Sequence, residues 1–209
     1  MKTATVIHEE IGDTWIIVAR DPDKPNYLID TNEYLVHDGE TGILLDPGGI
    51  EIFPAVVSAI AQRFDPEKIT QIFASHQDPD IISSIGLWLD FNNAIKCRLS
   101  WLWAGFIPHF GGDGDTFRPI PDEGGDIEVG KLKLKAIPAH YLHSSGNFNI
   151  YDPNAKILFS GDIGAALLPP EKQGIWVKNF DDHIQYAEGF HKRWMGSNEA
   201  KNDWCDRVA

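Results

Sequence analysis

The stretch Ser75-His76-Gln77-Asp78-Pro79-Asp80 carries one imidazole and two carboxylates on alternate residues, with a proline to stiffen the turn. No local cation stands by to pair with them. Carboxylates crowded this way repel one another and titrate badly unless a positive charge sits among them. A metal ion is the economical answer, and a solvated acidic turn with a chance histidine is the bland one. Two more polar clusters follow apolar runs in the same way. One is Ala139-His140-Tyr141-Leu142-His143-Ser144-Ser145-Gly146-Asn147, and the other is Phe159-Ser160-Gly161-Asp162-Ile163-Gly164. A lone Asp after a strand is ordinarily a cap or a turn former. Three strand-end clusters together favour a shared site, with Gly161 allowing close backbone approach beside Asp162.

Strands must place these clusters. The apolar run Ile69 to Ala74 reads as a buried strand ahead of His76, and Ile81 to Asn92 as the helix after it. A loop at the carboxyl end of a strand is where an α/β sheet exposes polar groups to a ligand. Upstream, Thr3 to Glu9, Thr14 to Ala19, Asn32 to His37 and Gly42 to Leu45 read as a strand meander. Asp46-Pro47-Gly48-Gly49 then turns into a helix over Ile52 to Phe64, with Phe53, Val56, Val57, Ile60 and Phe64 on one face. Downstream, Ile95 to Leu99 predicts a strand and Ser100 to Phe110 an aromatic helix. Further strands are expected at Asp126 to Val129, Leu132 to Pro138, Phe148 to Asp152 and Ile157 to Ser160, with a closing helix over Asp182 to Arg207. This order predicts an α/β (α+β) chain of two sheets packed face to face with helices outside.

The chain has 209 residues, a length that suits one domain over 1–209. Its formal charge of −13 is spread along the sequence and repels phosphate, which argues against nucleic acid and anionic membranes as partners. No run is long enough to cross a bilayer, and the first residues lead into a strand pattern, so a cytoplasmic location is expected. Cys97 and Cys205 are too few and too isolated for a disulfide framework or a thiolate metal knuckle. His8, His37, His109, His183 and His191 lack a partner motif and read as structural.

Taken together, Asp46-Pro47-Gly48, His76-x-Asp78-x-Asp80, His143-Ser144-Ser145-Gly146 and Ser160-Gly161-Asp162 resemble the metallo-β-lactamase fold, an αββα sandwich with a binuclear metal site at one edge. The branch they resemble most is the diiron domain of flavodiiron proteins and oxygen-binding diiron proteins, where the first motif is His-x-Glu-x-Asp-His. Phe190 to Asn198 resembles a helix of that branch. The resemblance implies two iron ions (Fe2+/Fe3+) with a bridging oxo, hydroxo or peroxo group, zinc or manganese being the less expected metals; the carboxylate-rich set is unlike the nitrogen and sulfur environment usual for zinc. It assigns His76, Asp78 and His143 to one iron, Asp162 as the bridge and Asp80 to the other iron. His143 stands 19 residues before Asp162, the family's separation, whereas His140 stands 22 before it and is left as a supporting residue. Asp46 would orient a ligand or hold its turn. Ile81 occupies the position of the motif's second His. The family's last His would fall beyond Ala209, so the chain is expected to lack the C-terminal strand of the sandwich.

The implied function is a non-haem diiron protein that binds O2 or NO and senses it, working through a signalling partner and as a homodimer. No flavin-type phosphate loop is present in the sequence. If the chain is an enzyme, it would be an O2/NO reductase drawing on an external electron donor. A binuclear metallohydrolase is the further alternative. Trp101, Trp103, Phe106, Phe110 and Phe148 are expected either to line an apolar pocket for a diatomic gas or to be core.

Overall fold

The computed structural model describes residues 1–25, 29 and 31–209. Seven strands form the first sheet in sequence order: β1 (Thr3–Glu10), β2 (Asp13–Ala19), β3 (Glu33–His37), β4 (Gly42–Leu45), β5 (Ile69–Phe73), β6 (Lys96–Ser100) and β7 (Phe117–Ile120). β1 to β4 pair antiparallel, and β4 to β7 run parallel. The second sheet has the order β11 (Ile157–Phe159), β10 (Phe148–Asp152), β9 (Leu132–Pro138), β8 (Gly125–Val129), antiparallel throughout.

Alternation along the first sheet builds two cores. In β4, Leu44 faces a layer with α1 (Phe53–Ile60), α2 (Pro79–Ile82) and α3 (Ile85–Phe91), whereas Ile43 and Leu45 face the second sheet. Trp15, Val36 and Phe73 meet Leu134, Phe148 and Ile150 in that inter-sheet core. On the far side, α5 (Asn198–Val208) docks on β10 through Trp204, whose indole N–H donates to Asn149 Oδ1 at 2.7 Å. The expected αββα sandwich is therefore present. No helix among the described residues is long and apolar enough to cross a membrane.

The helices differ from expectation where serines bind distant backbone. The single helix foreseen over 81–92 is two pieces, α2 and α3. Ser83 Oγ accepts the Ile50 amide at 3.0 Å and Ser84 Oγ donates to Pro47 O at 3.0 Å, tying the break to the Asp46 turn. The closing helix is split into α4 (Phe180–Trp194), whose C-cap Met195 leaves helical geometry, and α5, which Ser197 caps by accepting the Ala200 amide. Residues 101–110 wind as a 3-10 helix with Pro108 inside it. β7 was not foreseen. Pro119 argues against a strand interior, but β7 is a sheet edge, where a missing N–H is tolerated.

Candidate metal centre

Strand direction brings the three clusters to one edge. β4 and β5 are parallel and end at Leu45 and Phe73, so Asp46 and Ser75-His76 leave the sheet side by side. In the second sheet β9 and β11 both lie antiparallel to β10, so the loops after them, carrying His143 and Asp162, emerge at a common edge. The Phe148 amide donates to Ser75 O at 3.0 Å and fastens the two sheets together beside the site.

Four donor atoms converge there. His76 Nε2 and His143 Nε2 are 3.0 Å apart. Asp78 Oδ2 lies 3.6 Å from the first and 3.5 Å from the second. Asp162 Oδ2 lies 3.7 Å and 3.3 Å from the same two atoms. Donors bound about 2.1 Å from one ion stand about 3.0 to 3.4 Å apart at octahedral or tetrahedral angles. The spacing therefore fits a transition ion, and His76, Asp78 and His143 offer ligand atoms all within 4.8 Å of one another. Asp80, in the first turn of α2, feels the charges of Asp162, Asp78 and His76. His140 is turned elsewhere: its Nε2 is 2.9 Å from Asp122 O, and its ring packs on Phe148.

Hydrogen bonds fix the tautomer of His76. Asp46 Oδ1 accepts the Ser75 amide and Oδ2 the Ser75 hydroxyl, each at 2.7 Å, and Ser75 Oγ is 2.8 Å from His76 Nδ1. A hydroxyl that has given its proton to Asp46 can only accept from Nδ1–H. This leaves the Nε2 lone pair aimed into the cluster. Asp46 was foreseen as a turn holder or an orienting group, and it acts as both. Ser75 was missed, though its position beside the histidine was the available signal.

The electrostatics ask for a cation. Burial acts to lower the His76 pKa, but Asp78, Asp46 and Asp162 together outweigh it and raise it. The hydrogen bond to His76 holds the Asp78 carboxyl below its usual range against the effect of burial. Burial raises Asp80, helped by Asp162 and Asp78. Fully buried Asp46 is pushed up to about 7 by desolvation, in spite of His76 and its two bonds from Ser75. Burial and like charge thus both act to keep protons on Asp46 and Asp80, and a cation among the carboxylates would act in the opposite sense.

Ile81 is a core residue, and of the two alternatives for the aromatics the core one holds for three. Ile81, at the position of a motif histidine, is 1% exposed and packs in the helix-facing core, away from the donors. The five aromatics do not gather over the cluster: Phe148 is in the inter-sheet core, Trp103 and Phe110 pack on the other core, and Trp101 and Phe106 are exposed. The aromatics on the site come instead from α4. Trp194 lies edge-on to His143 with ring centroids 5.4 Å apart, and Phe190 follows at 6.3 Å.

Known proteins share this fold. A solved structure of the apo state of chemotaxis sensor ODP from T. denticola is 39% identical, with a TM-score of 0.88, and the match covers 99% of this chain and 82% of that one. A second, described as a peroxy diiron species of chemotaxis sensor ODP, is also 39% identical, with a TM-score of 0.86 and the same coverage. A flavoprotein from Thermotoga maritima, 19% identical with a TM-score of 0.80 over 100% of this chain and 54% of its own, shares the fold. Among curated proteins, an uncharacterized protein of Methanocaldococcus jannaschii is 28% identical over 138 residues, 63% of this chain. The match spans 33% of that relative's length. The family model for ODP family beta lactamase matches residues 29–209, and with the sandwich and the sensor likeness this places the chain in the ODP family.

Proposed function

We propose that the chain is a non-haem diiron protein that binds O2, or NO, and acts as an oxygen sensor. The observation carrying this reading is the convergence of His76 Nε2, His143 Nε2, Asp78 Oδ2 and Asp162 Oδ2 in a likeness of a protein described as a diiron chemotaxis sensor. His76, Asp78 and His143 would hold one iron, Asp162 would bridge and Asp80 would serve the second. Two ferrous ions held in common would supply electrons and open positions for a diatomic gas. The chain's own part is to hold the donors still. Asp46 and Ser75 fix the His76 ring, while Phe190 and Trp194 pack edge-on against the His143 ring. The carboxylate-rich donor set favours iron over the nitrogen and sulfur environment usual for zinc.

We read residues 1–209 as one such domain, working in the cytoplasm, where the free thiols Cys97 and Cys205 suit reducing conditions. An apolar face of Trp176, Val177, Phe180 and Ile184, all exposed on α4 and the segment leading to it, supports a homodimer or a signalling partner there. Metal analysis with absorption spectra, taken anaerobically and then in air, tests the reading. Two irons per chain and a visible band that forms on aeration without turnover are expected. Rapid O2 consumption with a reduced donor protein would make the chain a reductase instead, and stoichiometric zinc with ester hydrolysis would make it a hydrolase.

A further inference from the structure

Between the candidate ligands His76 and Asp78 stands Gln77, a residue to which no role has been given. Its side-chain amide reaches in two directions. Nε2 donates to Asp78 Oδ1 at 3.2 Å, and Oε1 accepts the Ser144 hydroxyl at 2.6 Å. The amide cannot be turned round, because an ionised carboxylate only accepts and so requires the NH2 end. Asp78 uses its other oxygen, Oδ2, toward the imidazoles. Ser144 follows His143 directly and is itself anchored: its carbonyl accepts from the Tyr141 and Asn147 amides at 2.8 Å and 3.2 Å. One amide therefore ties a ligand loop of the first sheet to a ligand loop of the second, across 67 residues of sequence.

We propose that Gln77 is a positioning residue of the metal centre, clamping the His143 loop through Ser144 and presenting Asp78 to the metal through a single oxygen. The inference rests on the diiron reading. With Oδ1 engaged by Nε2, the Asp78 carboxylate is held in a one-oxygen mode. With Ser144 engaged, His143 Nε2 keeps its approach to His76 Nε2. Loss of the amide frees Asp78 to rotate and releases the one side-chain bond between the two loops that is given by Gln77.

The test titrates the full, metal-free chain with Co(II) against a competing chelator, reading affinity and the visible absorption of bound Co(II), with a thermal melt of each metal-free variant. Gln77→Met, close in shape but without either bond, should lower affinity about 10- to 100-fold, the range for groups that support a ligand. It should also alter the Co(II) spectrum, because Asp78 changes its mode of binding. Ser144→Ala should show a smaller loss, and Ser144→Thr, which keeps the hydroxyl, should restore binding to within about twofold. Gln77→Met and Ser144→Ala together should lose no more than Gln77→Met alone, since they break one chain of contacts. A merely structural Gln77 would lower the melting point and leave the Co(II) spectrum unchanged, which overturns the proposal, as does affinity within about twofold in Gln77→Met. If Gln77→Met does not fold, the Ser144→Ala and Ser144→Thr pair decides: equal affinity and spectra in the two overturn it. The diiron reading fails separately, and the proposal with it, if His143→Ala binds Co(II) as well as the unaltered chain.

Discussion

Replacing Gly161 by alanine should damage the centre without touching a donor atom. Gly161 has φ +54°, in the left-handed region, where an L side chain loses about 1–2 kcal/mol. Its added Cβ would lie 3.0 Å from Ser75 Oγ and 3.2 Å from Ser75 Cβ. Ser75 cannot step aside cheaply, since it is fully buried and its hydroxyl is engaged with both Asp46 and His76. Disturbing two buried hydrogen bonds adds about 0.5–1.5 kcal/mol each, so the total is about 2–5 kcal/mol. Urea unfolding of the metal-free chain measures it. The clash can be separated from the backbone strain by repeating the change in a Ser75→Gly background, which removes both contacting atoms. There Gly161→Ala should cost only the strain, about 1–2 kcal/mol, leaving a coupling of similar size. An equal cost in both backgrounds, or a cost below about 1 kcal/mol in the native background, would refute the account of Ser75 as a fixed wall.

Ile81→His, which rewrites the motif in sequence, should add no ligand and destabilise by about 2–4 kcal/mol in denaturant unfolding, because the side chain is in the core. Asp13 is raised by burial first and then by Asp152, against its bond from Asn154 and the nearby His8. Its folded form thus holds a proton that the unfolded chain releases near pH 4, so stability falls as pH rises from about 4 through the folded pKa. Asp13→Asn should flatten that part of a stability-against-pH series. Burial pushes the Cys97 thiol up to about 12, whereas Cys205 is exposed. Iodoacetamide should therefore add one group to the native chain and two in denaturant, as read by mass spectrometry.

The fold was legible where side-chain period and burial agree. Ile43, Leu44 and Leu45 fall on alternate faces as a strand buried on both sides requires, and β9 and β10 lie over the ranges expected. Helix ends were less legible, because what stops α2 is Ser83 and Ser84 bonding to Ile50 and Pro47, residues more than thirty positions away. The same limit applies to the site. Residue types and strand-end placement marked His76, Asp78, His143 and Asp162, all of which the fold brings together. Asp46 was marked as an orienting group or a turn holder, but its route to His76 through Ser75, 29 residues on, was hidden, as was the bond from Ser144 to Gln77 over 67 residues. For the aromatics the sequence left pocket and core both open, and the core alternative holds for Trp103, Phe110 and Phe148. The spacing of Trp101 to Phe110 is shared by a core helix and a pocket wall, and only tertiary packing sets Phe190 and Trp194 against His143.

Charge ties these observations to a single cause. Asp46, Asp78, Asp80 and Asp162 surround two imidazoles, in a chain already at −13. Such a group of carboxylates would lower the stability of a fold that had no use for it, and replacing it with apolar residues of similar volume would cost little or nothing. The chain instead spends backbone strain and buried hydrogen bonds to keep the group together. Asp46 has φ 51°, and Ser75 and His76 are both fully buried. In the metal-free chain the surrounding carboxylates raise the His76 pKa against burial, and burial first, then Asp162 and Asp78, raises that of Asp80. An ion must displace the protons of these two groups to bind, so its affinity should rise with pH through the range in which they titrate. A cation among these donors would offset the repulsion between the carboxylates, which gives the fold a physical reason to keep them together.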